Sequence, residues 1–202
     1  MLYFNRKKVI LLISHYGCGV LDLYNIMLYH SRINGFLNNN PERTVDYNDP
    51  TCSFLKKKDH TWQGKDKIYL DTIFFNYKIG CKSLFKNEDV EFLFYLGNGI
   101  ETLDKINKQT GYNADISKRY YSFRLRRICE LMCQVQNPNV YIEGYSDSKN
   151  LCSHINQKYK LFPSLDFTLK YEKETHGIPE NCFERYFSFM IKMKEMKKIN
   201  IF

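Results

Sequence analysis

A chain of 202 residues with 44% hydrophobic and 16% aromatic content can build one domain with a real core, and its composition is not that of a disordered chain. The formal charge of +8 points to anionic partners such as nucleotides, sulfated or phosphorylated compounds, nucleic acid, or an acidic surface. The longest apolar run, Val9 to Ile13, falls far below the roughly 18 residues that a membrane span needs. It is also short for a secretory signal core and has no small-residue cleavage site after it, so a soluble cytoplasmic protein with no membrane partner is expected.

The apolar run ends in His15-Tyr16-Gly17-Cys18-Gly19, and an amphipathic stretch from Leu21 to His30 follows at once. Strand, glycine turn and helix together form a phosphate cradle in α/β proteins. Glycines let the backbone turn tightly, and the first helical amides then point at the anion with the positive end of the helix dipole behind them. A long polar excursion from Asn34 to Lys67 comes next, with the character of a lid or substrate loop.

Lys67 to Asp71 reads as a short strand, Phe74 to Phe85 as a helix, and Val90 to Leu96 as a buried strand by its aliphatic and aromatic density. That strand also stops at glycine, where Gly97-Asn98-Gly99 precedes a helix start at Ile100 to Ile106. From Ser117 to Val135 the period is helical, with Tyr121, Leu125, Ile128, Met132 and Val135 on one seam. Pro138 ends it, Asn139 to Tyr145 is a further strand, and Asp147 or Ser148 caps a helix running to about Lys160. Pro163 and Pro179 bound a loose segment, and a terminal helix covers Glu180 to Lys198.

Alternating strands and helices predict an α/β fold, a mainly parallel sheet flanked by helices. Residues 1–162 form the main domain, and 163–202 form a C-terminal segment packed on it. Ligands of such sheets bind outside the carboxyl ends of the strands, so the turns after Ser14 and Leu96 would share one edge and could serve one site.

The seven cysteines, Cys18, Cys52, Cys81, Cys129, Cys133, Cys152 and Cys182, contain no Cys-x-x-Cys pair and read as reduced thiols. Cys129 and Cys133 lie one helical turn apart without a His or acidic partner pattern nearby, which favours core packing over a metal site. The basic residues Lys118, Arg119, Arg124, Arg126 and Arg127 spread around their helix rather than forming a stripe, which speaks against nucleic acid.

A nucleoside-triphosphate P-loop needs four residues between its glycines, then a lysine and a hydroxyl residue, whereas Gly17 and Gly19 are followed by Val20 and Leu21. No third glycine completes a dinucleotide fingerprint, since Asp22 stands there. A pattern that fits better runs from Tyr16 to Asn25, through His30-Ser31-Arg32-Ile33 and Tyr69-Leu70-Asp71-Thr72, to Val90 to Leu103. In order and spacing it resembles the sulfotransferases, a family of P-loop NTPase-like fold that uses 3′-phosphoadenosine 5′-phosphosulfate. The likeness spans roughly Lys8 to Leu161.

The resemblance implies transfer of a sulfuryl group from that nucleotide donor to a hydroxyl or amine acceptor. It implies donor contacts at Tyr16, Gly17, Cys18, Gly19, Val20, Asn98 and Lys105. Family members use His or Glu as the base. The position where some carry Glu is Phe36, so His15, beside the first turn, and Glu42, in the excursion, are the candidates for the catalytic role.

The family's cation in the first turn falls on Gly17 and its hydroxyls on Cys18, Val20 and Leu21. In the second turn its arginine falls on Gly97, its proline on Gly99 and its serine at or beside Lys105. Charge-assisted hydrogen bonds contribute about 1.5–3 kcal/mol each, so two missing cations weaken donor binding by roughly a hundredfold to tens of thousandfold unless lysines such as Lys105 or Lys108 compensate. Two other readings stay open. One is a sulfotransferase-fold binding or structural protein with a protein partner and no chemistry. The other is a small-molecule kinase with Asp22 and Asp71 placed for magnesium.

Overall fold

The computed structural model describes residues 8–35, 68–74, 90–97, 99–169 and 184–202. They form β1 (Lys8–Ser14), α1 (Val20–Leu28), β2 (Ile33–Gly35), β3 (Ile68–Phe74), β4 (Val90–Leu96), α2 (Gly99–Thr110), α3 (Ala114–Met132), β5 (Asn139–Ile142), α4 (Ser148–Tyr159), α5 (Glu184–Glu195) and β6 (Asn200–Ile201). The strands make a six-stranded sheet in the order β2-β3-β1-β4-β5-β6, and every pairing is parallel. No helix among the described residues is long and apolar enough to cross a membrane.

The central strands are apolar on both faces because both faces are covered. Leu11 and Ile13 of β1 and Phe92, Phe94 and Leu96 of β4 pack with Ile106 of α2, Tyr121 and Leu125 of α3, and Phe187 and Met190 of α5. Ile10, Leu12, Leu93 and Tyr95 take the opposite face, with Leu23 and Met27 of α1 and Leu151 and Ile155 of α4. Each such aliphatic or Phe side chain contributes roughly 1.5–3 kcal/mol relative to leaving it in water. In the β4/β5 register Tyr95 stands opposite Tyr141, and their rings stack with centroids 5.0 Å apart.

The helix starts differ in how their free amides are met. The Asn113 side chain accepts from the Ile116 amide at 2.9 Å to begin α3, and Asp147 accepts from the Lys149 amide at 2.8 Å to begin α4. Helix α1 starts at Gly19, which has no side chain to cap it.

At the amino end of β4 a buried carboxylate ties the sheet to α4. Glu91 bonds the His154 Nε2 at 2.7 Å, accepts from the Asn139 side-chain amide at 2.8 Å and from the Tyr159 hydroxyl, and pairs with the Lys158 ammonium at 3.2 Å. Burial alone would raise its pKa, but the hydrogen bond to His154, the Lys158 charge and the Tyr159 hydroxyl outweigh it and bring it down to about 2.

Several elements depart from their sequence expectations. Strand β3 extends through Phe74, where a helix was expected to begin, because it pairs with β1 along all of Lys8 to Ser14. The rest of that expected helix lies outside the described residues. So does 36–67 of the polar excursion, whose first two residues, Asn34 and Gly35, belong to β2. The strand expected to reach Tyr145 stops at Ile142, where the Ser146 hydroxyl takes the Ile142 amide at 2.9 Å and the Tyr145 and Ser146 amides turn back onto the Ile142 carbonyl.

Helix α3 starts before the expected Ser117 because Asn113 caps it, and Val135 packs on the core from the turn beyond its end. Helix α5 stops at Glu195, short of the expected Lys198. The two-residue strand β6 was not expected from the sequence at all. Beyond residue 162, Phe167 and Leu169 enter the α1/α4 face and α5 the other, so the C-terminal segment contributes to both layers.

Candidate functional site

From β1 the chain passes through α1 to β2 on one side, and from β4 it passes through α2 and α3 to β5 on the other. The carboxyl ends of β1 and β4 therefore flank the point where the winding reverses, the place at which open parallel sheets form a binding crevice. The two glycine turns meet there. His15 Nε2 accepts from the Gly97 amide at 3.1 Å, and its Nδ1 donates to the Tyr16 carbonyl at 2.8 Å.

Accepting at Nε2 requires the neutral ring protonated at Nδ1. The residue is 1% exposed, and burial, aided by the Arg124 charge and opposed by the Tyr16 carbonyl, lowers its pKa to about 4. Tyr121 of α3 completes the junction, its hydroxyl donating to the Gly97 carbonyl at 2.7 Å and its ring lying 4.8 Å from that of His15.

The glycines at this junction are required by close approach. Gly17 has φ +85°, and a Cβ on it would stand 2.7 Å from the Thr102 carbonyl of α2. A Cβ on Gly97 would stand 2.2 Å from the Thr102 hydroxyl, 3.2 Å from the Cys18 Cβ and 3.3 Å from Glu143 Oε2. Helix α2 is thus packed directly onto both turns.

Glu143, the first residue after β5, is the residue that sequence reasoning missed. Its Oε1 accepts from the Gly19 amide at 2.5 Å, so an internal carboxylate meets the bare start of α1. Its own amide donates to the Leu96 carbonyl at 2.9 Å, which holds it at the end of β4. Glu143 is 3% exposed. Burial raises its pKa to about 7 against the opposing pull of the Gly19 amide, the Lys105 charge and the Tyr95 hydroxyl, while Glu101 adds to the rise. The only sequence signal was an acidic residue directly following the apolar run Val140-Tyr141-Ile142.

The structure brings together most of the residues expected to bind the donor. Tyr16 is half-buried with its ring 6.3 Å from that of Tyr120, and Arg124 lies 4.7 Å over the other ring of that pair. Cys18 donates from its thiol to the His15 carbonyl at 3.0 Å, and burial followed by the Glu143 charge pushes it up to about 12, so it is neither a nucleophile nor a ligand near neutral pH. Gly19 faces Glu143, Val20 is buried in the core as the first residue of α1, and Lys105 of α2 interacts with Glu143 electrostatically. Asn98 and Glu42 lie outside the described residues. Asp22 is exposed on α1, and Asp71 is paired with Leu11 in the sheet.

Among the described residues no group of His, Cys, Asp and Glu could hold a metal ion. On α3, Arg126 and Arg127 both pair with Glu130, at 3.0 and 2.9 Å.

No family model matches this chain, and no curated protein or solved structure does. Its site is therefore read from its own geometry, a glycine-lined junction at the sheet's switch point with one buried carboxylate in it.

Proposed function

We propose that this chain is a sulfotransferase-like protein of P-loop-like build, whose carboxyl-edge crevice takes 3′-phosphoadenosine 5′-phosphosulfate and passes its sulfuryl group to a hydroxyl or amine acceptor. The observation that carries this reading is the direct joining of the turns after β1 and β4, through His15 and Gly97, at the switch point of a parallel sheet. In this reading the turn before α1 serves the phosphosulfate end, and Lys105 replaces a lost cation as a point charge.

The bond between sulfur and the 5′-phosphate oxygen breaks as the acceptor atom bonds to sulfur, and the acceptor's proton passes to a base. His15 has both ring nitrogens committed within the protein, so it positions the two turns, and the base role stays with Glu42.

A second reading, a protein of the same fold that binds without chemistry, is favoured by Glu143, which occupies the Gly19 amide that a donor phosphate would use. Calorimetric titration with 3′-phosphoadenosine 5′-phosphate at low and physiological salt separates the two. Micromolar binding at physiological salt, followed by transfer to any member of an acceptor panel, supports the enzyme. Absence of binding at both salts removes the donor site and leaves the binding protein.

A further inference from the structure

We propose that the amino edge of the sheet, opposite the crevice, docks on an anionic lipid surface. Tyr29 and Phe162 enter the boundary between head groups and acyl chains, and the cations around them meet the lipid phosphates and carboxylates. The proposal does not depend on what binds at the carboxyl edge.

A parallel sheet collects helix ends at this edge, because a helix that returns the chain to a new parallel strand finishes where that strand begins. Helix α1 closes at Tyr29 shortly before β2, and the end of α4 is placed there by the contacts of Tyr159 and Lys158 with Glu91 at the start of β4. Two bonds join these helix ends. His30 Nε2 donates to the Pro163 carbonyl at 2.7 Å while its Nδ1 accepts from the Arg32 amide at 3.2 Å, and Arg32 Nη1 donates to the Lys160 carbonyl at 2.5 Å. Tyr29 and Phe162 each adjoin a residue of the first bond, so the two aromatic residues stand on neighbouring segments.

Tyr29 is 91% and Phe162 86% exposed, whereas the other exposed large hydrophobic residues among those described reach no more than 58%. Cations surround them. Lys160 is exposed at the end of α4, Lys158 is 40% exposed, and the Lys8 ammonium lies 5.7 Å from the Tyr159 ring. Farther along the same edge Lys197 and Lys198 lead into β6. Among the described carboxylates near these segments, Glu91 is buried and paired with Lys158, and Asp166 and Glu195 are exposed. Exposed aromatic rings rimmed by lysine and arginine complement an anionic bilayer, which takes the rings at head-group depth and the cations at its phosphates. The sequence expectation of no membrane partner considers spans and leaders, and a surface contact needs neither.

The test is sedimentation of the full chain with vesicles of phosphatidylcholine alone and of equal parts phosphatidylcholine and phosphatidylserine. Binding is expected to the mixed vesicles and should weaken as salt is raised. Replacing both rings, Tyr29→Ser with Phe162→Ser, should lower the partition at least about tenfold. Lys160→Asn removes one cation while keeping a residue that tolerates the φ of +49° found there, and should lower it about fivefold.

A measurement on the wild type alone stands beside the variants. Mixed vesicles should slow amide hydrogen exchange at 29–32 and 160–165. No sedimentation with either vesicle overturns the proposal, as does a double variant that binds like the wild type or protection confined to other segments. Equal binding to pure phosphatidylcholine overturns the part assigned to the cations.

Discussion

The amide of Gly97 donates to Nε2 of His15 at 3.1 Å, joining two turns that lie 82 residues apart in the chain. The bond makes the histidine a fastener, with its second nitrogen spent on the Tyr16 carbonyl. His15→Ala leaves the Gly97 amide and the Tyr16 carbonyl without their partner, at about 1–3 kcal/mol for each orphaned buried group. Urea unfolding at pH 7 should register a loss of at least about 2 kcal/mol. Because the native ring titrates near 4 against 6.5 unfolded, its contribution is complete above pH 6.5 and is lost as pH falls toward 4. The alanine variant lacks that contribution, and acid profiles that run parallel for the two proteins would refute a buried neutral ring.

Gly97→Ala places a methyl group 2.2 Å from the Thr102 hydroxyl and 3.2 Å from the Cys18 Cβ, so the buried Thr102 side chain must turn or α2 must shift. A loss of about 1–3 kcal/mol is expected, as for overpacking in a close-packed interior. Gly17→Ala adds a left-handed backbone to a contact with the Thr102 carbonyl and should be at least as damaging. Gly111→Ala is the control for backbone strain alone, since its φ is +70° and nothing stands within 4 Å of its Cβ position. Thermal melts that rank Gly111→Ala beside Gly17→Ala would mean that backbone strain, and not the close approach of α2, decides at Gly17.

Glu91 stabilises in the opposite direction from a carboxylate buried alone. Its pKa of about 2 lies below the ordinary 4.5, so its contribution is present above pH 4.5 and disappears as pH falls toward 2. The difference corresponds to about 3 kcal/mol. Glu91→Gln should lose about that much at pH 7, with the gap to wild type closing in acid. A gap that stays constant down to pH 2.5 would show that its partners do not favour the charged form.

Glu143 has the reverse sign. Raised from 4.5 to about 7, it binds a proton more tightly when folded, so its contribution is complete below pH 4.5 and is lost as pH rises through 7. Glu143→Gln should therefore gain on the wild type between pH 5 and 8, by up to about 3 kcal/mol. Between pH 4.5 and 6.5 this slope opposes that of His15, so the wild-type profile is flatter there than either variant's. Denaturant midpoints of the two variants across pH 5–8 separate the contributions, and a Glu143→Gln profile parallel to wild type would place the carboxylate's pKa near its ordinary value.

The sequence by itself determined the α/β class, the first strand and the helix after it, and the two glycine turns. Those features rest on local rules, since an apolar run that ends at glycine and meets a helical period is legible over ten to twenty residues. The Asp147 cap and the Tyr121, Leu125, Ile128 and Met132 seam were legible for the same reason.

Only the tertiary structure decided the strand order, the addition of β6 and the extent of β3, because those depend on which strand lies alongside. It also decided the chemistry of the crevice. His15 beside a glycine turn has the sequence appearance of an available base, and Glu143 that of a residue leaving a strand. Folding places one with both nitrogens occupied and the other against the Gly19 amide. Burial and partners drawn from the first turn, β4, α2 and α3 set their charges, and no local stretch of sequence encodes that neighbourhood.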